Sequence, residues 1–283
     1  MNIINAIGEA PLRLAAFTGI FVLMALLELA MPRREPGQGK SARWFTNLMI
    51  TGIDSLILRL MAMLAAPIAA VAAAAWAQTQ GWGLLNYMDW PGWLEIVLAM
   101  IVLDLAIYGQ HVASHKIPLI WRLHKVHHTD VDFDVTTALR FHPVEIALSM
   151  LWKICVVLAL GASPWAVVLF EVTLNGCAMF NHANLALPLW LDRVVRLFIV
   201  TPDMHRVHHS IHRTEHDSNY GFNLSIWDRL FRTYTAQPRD GHLDMTIGQK
   251  NHLNENPKKL LWCLMLPFKQ TKRTSDQKKL SGK

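Results

Sequence analysis

Four long apolar stretches constrain this 283-residue chain more than any other feature. Residues 11–32 are interrupted mainly by Arg13 and Glu28, residues 46–76 by Asp54 and Arg59, and residues 94–110 carry Asp104 in their interior. The fourth stretch, 146–180, is divided by Gly161-Ala162-Ser163-Pro164 into two arms of roughly 15 residues. About 20 apolar residues in a helix cross a bilayer. Lipid offers no partner for backbone polar groups, which leaves helices or closed barrels as spanning structures. The expectation is therefore an all-α integral membrane helical bundle with about four to five membrane segments. The two arms form either two tilted spans or a re-entrant hairpin. Composition fits this class, since only 17% of residues are charged, below the ~25% of soluble domains. The first run lacks a basic n-region and an Ala-x-Ala cleavage site, so it reads as a retained anchor rather than a signal peptide.

Basic residues orient such a bundle. Arg33, Arg34, Lys40 and Arg43 follow the first run. Neither Lys nor Arg occurs between Arg59 and Lys116, and basic residues then return. The tail adds Lys258, Lys259, Lys269, Lys272, Arg273, Lys278 and Lys279. This pattern places the first loop, residues beyond 116 and the C-terminus on the cytoplasmic side. Trp76, Trp82, Tyr87, Trp90 and Trp93 then form an aromatic belt on the far side. The net charge of +6 is accounted for by topology and by anionic lipid head groups, each basic residue near the surface being worth ~1 kcal/mol. No nucleic-acid partner is expected. Cys155, Cys177 and Cys263 form no CxxC pair and read as small buried hydrophobes.

Histidines carry the chemistry. Eight of them fall into His111-x-x-x-His115, His124-x-x-His127-His128 and His205-x-x-His208-His209. Helical residues three and four apart share a face, so each cluster converges two or three imidazoles. Imidazole is the commonest side-chain metal ligand. Eight rings exceed the roughly four that one tetrahedral ion accepts, which predicts a two-metal site. The third cluster follows Thr201 and Pro202, a helix N-cap and first turn. His182, in Asn181-His182-Ala183-Asn184, is a further candidate ligand. His142 is either another ligand or a hydrogen-bond partner of Glu145. Asp104 either accepts the second ring N–H of His111 or pairs with Arg59 as a bridge between helices. His212, His216, His242 and His252 lie in polar surroundings; the stretch that holds His212 and His216 reads as a solvated surface, which excludes both. There is no HExxH and no Glu-x-x-His pair, which disfavours a zinc protease and a soluble di-iron bundle. Imidazole alone does not choose between zinc, copper, iron and nickel.

The sequences HVASH, HKVHH and HRVHH resemble the three histidine boxes of the fatty acid hydroxylase/sterol desaturase superfamily of integral-membrane di-iron oxygenases. Thr136-Thr-Ala-Leu-Arg140-Phe-His-Pro-Val-Glu145 after the second box, and Asn219-Tyr220-Gly221 with Trp227-Asp228-Arg229-Leu230-Phe231 after the third, extend the resemblance over roughly residues 95–236. It implies that His111, His115, His124, His127, His128, His205, His208 and His209 are metal ligands, with His182 as an additional one. One departure is Arg232, where many members have Gly.

The resemblance further implies two iron ions as cofactors, O2 as co-substrate, and an enzyme that hydroxylates or desaturates a C–H bond of a sterol-like, fatty acyl or alkyl lipid. No His-Pro-Gly-Gly haem motif occurs, so electrons are expected from a separate protein: a ferredoxin, cytochrome or reductase. The implied location is a bacterial inner membrane with the metal site and C-terminus cytoplasmic. The expected organisation is membrane segments over 1–93, a catalytic region over 94–240 whose helical cap carries the dimetal site, and a basic tail over 241–283. A metal-binding transporter or sensor is the competing class; its ligands would be spread through the bilayer rather than gathered in dense boxes.

Overall fold

A computed structural model describes residues 9–37, 39–64, 69–253 and 255–269. Lys272, Arg273, Lys278 and Lys279 of the basic tail lie outside the described residues. Every regular element among the described residues is a helix. Among the described residues four helices are long and apolar enough to cross a membrane: α1 (Glu9–Ala30, from Pro11), α2 (Lys40–Leu64), α4 (Gly92–Lys116) and α6 (Pro143–Leu160). Their outward faces carry large apolar side chains, among them Leu26 and Leu29 on α1, Met63 and Leu64 on α2, and Leu151 on α6. Water would oppose such surfaces, whereas lipid tails accept them.

The second apolar run yields two helices, α2 and the short α3 (Ala70–Thr79), with Pro67 between them in the sequence. α3 turns an Ala face, Ala70, Ala73 and Ala74, onto Val157 and Leu160 of α6 and Ala166, Val167 and Phe170 of α7 (Pro164–Asn181). Small residues let helix backbones approach closely where lipid supplies no hydrophobic drive. The 146–180 stretch forms the α6–α7 pair, two helices of 18 residues each, of which α6 is long and apolar enough to cross a membrane. Gly161 caps α6 at φ +70°, a left-handed conformation that favours glycine. Gly83, at φ +98°, packs so close that a Cβ on it would stand 2.3 Å from the Gly161 nitrogen.

The residue 92 end of α4 and the residue 160 end of α6 mark one pole of the bundle, where Trp82, Tyr87 and Trp93 are exposed. After α7 comes the short α8 (Leu189–Val195), and at the opposite pole α5 (Pro118–His128), α9 (Pro202–His208) and the loops around them form a cap. Buried ion pairs fasten that cap to α2. Arg43 meets Asp130 at 2.5 Å and Asp134 at 2.8 Å, while Arg140 donates to Asn47 Oδ1, Val126 O and Pro257 O. Buried charges persist only when paired in this way. The Arg140 of the segment after the second box thus clamps the α5 helix that presents three histidines.

Candidate metal centre

All nine histidines singled out from the sequence meet at the cap pole, in two adjoining sets. His111, His115, His124, His128 and His208 offer ligand atoms within 4.8 Å of one another, and so do His127, His182, His205 and His209. The clusters interleave to make these sets. The last turns of α4 supply His111 and His115, α5 divides its three rings between both sets, and α9 with its C-cap does the same. His182 is the C-cap of α7. Thr201 caps α9 through a bond from the Met204 N–H, with Pro202 in the first turn, as its sequence predicts.

The ring nitrogens face one another. His208 Nε2 and His111 Nε2 are 3.0 Å apart, His128 Nε2 and His124 Nε2 3.2 Å, His182 Nε2 and His127 Nε2 3.1 Å, and His205 Nε2 and His182 Nε2 3.1 Å. Two nitrogens each about 2.0–2.1 Å from one ion, at about 90–109°, lie about 2.8–3.4 Å apart. The spacing therefore suits nitrogens sharing an ion. Both ring nitrogens of His115 and of His209 are buried with no hydrogen-bond partner among the described residues. Orphaned buried polar atoms are costly, and a metal would satisfy them. Burial, reinforced by neighbouring imidazoles, holds His127, His128, His205, His208 and His209 well below the ordinary value of 6.5. Burial likewise takes His182 down to about 4. Neutral imidazole is the ligating form.

Four rings have their far nitrogen held. His111 Nδ1 lies 2.7 Å from Tyr220 O, His208 Nδ1 2.6 Å from Ser218 O, His182 Nδ1 2.8 Å from Ala178 O, and His124 Nδ1 2.6 Å from the Glu145 carboxylate. Each acceptor takes the Nδ1 proton and leaves the Nε2 lone pair aimed inward, as outer partners of metal ligands do. The Asn219-Tyr220-Gly221 segment owes its position to the Trp-Asp motif downstream. Asp228 accepts the N–H groups of Tyr220 and Gly221, both at 2.8 Å. A Cβ at Gly221 would sit 2.7 Å from that carboxylate. Arg232, the departure from the family pattern, stands at φ +59°, where glycine is unstrained.

Two expectations are corrected. Asp104 pairs with neither His111 nor Arg59; it accepts from Trp227 Nε1 at 2.8 Å and the Leu224 N–H at 3.1 Å, and so ties α4 to the cap. Its indole partner is 123 residues away, so no local pattern signals it. His142 joins neither histidine set. It is the N-cap of α6, its Nδ1 accepting from the Val144 N–H and its Nε2 3.2 Å from Leu264 O. Glu145, expected to pair with His142, serves His124 instead.

One residue read as solvated is buried at the centre. His216, ending the short α10 (Arg213–His216), packs against His115 and His128 with ring centroids 4.7 Å away in each case, and groups with His115 and Asp217. Burial takes it down to about 4. Its HxxxH spacing with His212 was a signal, but the polar neighbours masked it.

A cavity of about 350 Å³ among α1, α2, α4, α6 and α7 reaches the first set alone, being lined by His111 and His124 but by no ring of the second set. The arrangement can therefore hold two adjacent ions beneath a chamber within the bundle.

A sequence model of the fatty acid hydroxylase family matches residues 96–233. The chain is 30% identical over 164 residues to ornithine lipid hydroxylase OlsE of Rhizobium tropici, covering 57% of this chain and 48% of that protein. It is 30% identical over 146 residues to alkylglycerol monooxygenase of Homo sapiens, 49% of this chain and 30% of that one. Cholesterol 25-hydroxylase of Rattus norvegicus is 23% identical over 151 residues, 53% and 49% of the two chains. The matches thus span about half or less of these relatives. No solved structure matches the chain.

Proposed function

We propose that this chain, which belongs to the fatty acid hydroxylase family, is an O2-dependent membrane oxidoreductase that hydroxylates or desaturates a lipid C–H bond. The observation carrying this reading is the pair of histidine sets with a bundle cavity opening onto one of them. The relatives act, by name, on an ornithine lipid, alkylglycerols, or cholesterol; a lipid is their common substrate class. A transporter would distribute ligands along the bilayer, whereas these rings gather at one pole.

Two iron ions would be held, one by His111, His115, His124, His128 and His208, the other by His127, His182, His205 and His209. When bound, they supply the O2 chemistry needed to attack an unactivated C–H bond. The protein's share is positional. Glu145, Tyr220 O and Ser218 O orient their rings before substrate arrives, which avoids reorganisation during reaction. Ile107, Leu139 and Phe222 give the chamber an apolar wall beside His111 and His124, and excluding water from the reacting end would suppress side reactions. Hydroxylation places one oxygen atom in the lipid and the other in water, and draws two electrons and two protons from outside. A separate donor protein, a ferredoxin, cytochrome or reductase, would supply the electrons at the cap. The distribution of Lys and Arg supports a cap on the cytoplasmic side of the membrane, and the location proposed with it is a bacterial inner membrane.

The test is lipidomics of cells with and without the gene. A lipid heavier by one oxygen or lighter by two hydrogens is expected; an unchanged lipid profile under aerobic growth overturns the reading.

A further inference from the structure

The chamber beside the first histidine set is more polar than a slot for a hydrocarbon tail. On α6, Glu145, Ser149 and Lys153 recur every four residues and all line it. Side chains at that spacing form one helical stripe. On α2 the stripe is Thr51, Asp54 and Ser55. These helices lie within the apolar bundle, where an ionisable side chain is costly and normally tied to function.

Two features give the chamber a charge pattern. Lys153 lies 2.7 Å and Arg13 2.5 Å from the same Glu171 carboxylate, so at this end of the chamber two cations share one anion, while the carboxyls of Asp54 and Glu145 stand at the other. Asp54 is 7% exposed, and its Oδ1 has no hydrogen-bond partner among the described residues. Thr51, one turn before it, donates to Leu139 O, which places Asp54 beside the start of α6, the end of the chamber where Glu145 and His124 stand. A buried carboxylate oxygen facing a cavity without a partner costs free energy unless a ligand donates to it. A hydrocarbon tail satisfies neither the Asp54 acceptor nor the two cations that share Glu171.

Accepting the lipid-oxygenase reading, we propose that the chamber receives the polar head of its substrate: Asp54 takes an ammonium or hydroxyl donor, Lys153 and Arg13 take an anionic oxygen, and the oxidised C–H bond belongs to the head-group region. Along α6, Glu145 and Lys153 are eight residues apart, about 12 Å at 1.5 Å per residue, a span that fits a compact head group. The acyl or alkyl tails then lie outside the chamber, in the bilayer. Asp54 and Lys153 act as specificity-determining residues.

The experiment measures lipid retention rather than turnover. Purified protein with its bound metal is titrated in detergent with dioleoyl phosphatidylethanolamine, dioleoyl phosphatidylglycerol, dioleoylglycerol and cholesterol, and bound lipid is counted by native mass spectrometry. The two phospholipids are expected to bind at least about tenfold tighter than cholesterol, since each tenfold is ~1.4 kcal/mol, the scale of a charge-assisted hydrogen bond. Phosphatidylethanolamine exceeding phosphatidylglycerol identifies the donor at Asp54 as an ammonium; equality identifies a hydroxyl. Asp54→Asn should remove any ammonium preference with metal content unchanged, and Lys153→Gln should reduce the advantage of both phospholipids over dioleoylglycerol. Cholesterol or dioleoylglycerol binding as tightly as the phospholipids overturns the proposal, and the wild-type series decides this even if a variant fails to fold. Because retention needs no O2, head-group binding without any oxidised product refutes the oxygenase reading and leaves this subsite standing.

Discussion

The two histidine sets are built from the same boxes but are supported differently. In the first set, His111, His124 and His208 each have Nδ1 against a carbonyl or carboxylate oxygen, and the cavity touches two of its rings. In the second, only His182 has such a support, while the far nitrogens of His127, His205 and His209 are buried without a partner among the described residues. Aromatic packing stands in for hydrogen bonds there. Phe141 stacks on His127 with centroids 4.4 Å apart, and Phe133 lies 5.1 Å from His209. The difference teaches a division of labour: rings beside the chamber are oriented by directional acceptors, and rings behind them are held by burial.

The largest effect that would break this comparison comes from removing a ligand. His111→Ala and His209→Ala should each lower bound iron from two per chain to one and abolish turnover, as read by elemental analysis and product formation. A variant that keeps both ions would dissolve the partition into sets. Next, Glu145→Gln should weaken metal retention at the first set by about 10–100-fold, the usual cost of an outer partner, and leave the second set intact in a chelator titration. Loss of both ions together would show that the sets are not independent.

Acid supplies a graded test. Burial holds His127, His128, His205, His208 and His209 well below 6.5, and takes His182 and His216 down to about 4. Below pH ~6.5 the unfolded chain binds protons that the folded chain refuses, so stability is complete above that pH and falls as pH falls toward the folded values. Protons also compete with the metal. Thermal scans from pH 7.5 to 5 should show a falling Tm and metal release; a flat Tm contradicts the burial argument. The smallest effect concerns the strand of chain that supports the first set from behind. Arg232→Gly should raise stability by about 1 kcal/mol by relieving the left-handed conformation, measured by thermal unfolding with iron content unchanged. A loss of stability would show that the arginine side chain compensates for its backbone.

The local part of this site was legible in the sequence. Box histidines at helical spacing announce themselves, and so do Thr201-Pro202 and the Gly161 break, because each depends on contacts within a turn. What escaped depends on contacts across the fold. Glu145 reaches His124 across 21 residues, and Asp104 reaches Trp227 across 123. Nothing in periodicity chooses among such partners. His216 was misread because its sequence neighbours Arg213, Glu215 and Asp217 are charged, although the chain returns it to a centre built 100 residues upstream. The partition of HKVHH and HRVHH between two sets was likewise invisible, since spacing shows that rings converge but not on which ion.

The central claim is that nine imidazoles divide into two ion sites at one pole of the bundle. Iron per chain in protein purified under anaerobic conditions, counted before and after mild chelation, tests it most directly. The account predicts close to two irons, lost in two separable steps. A single ion, or one step that empties the centre, would contradict it.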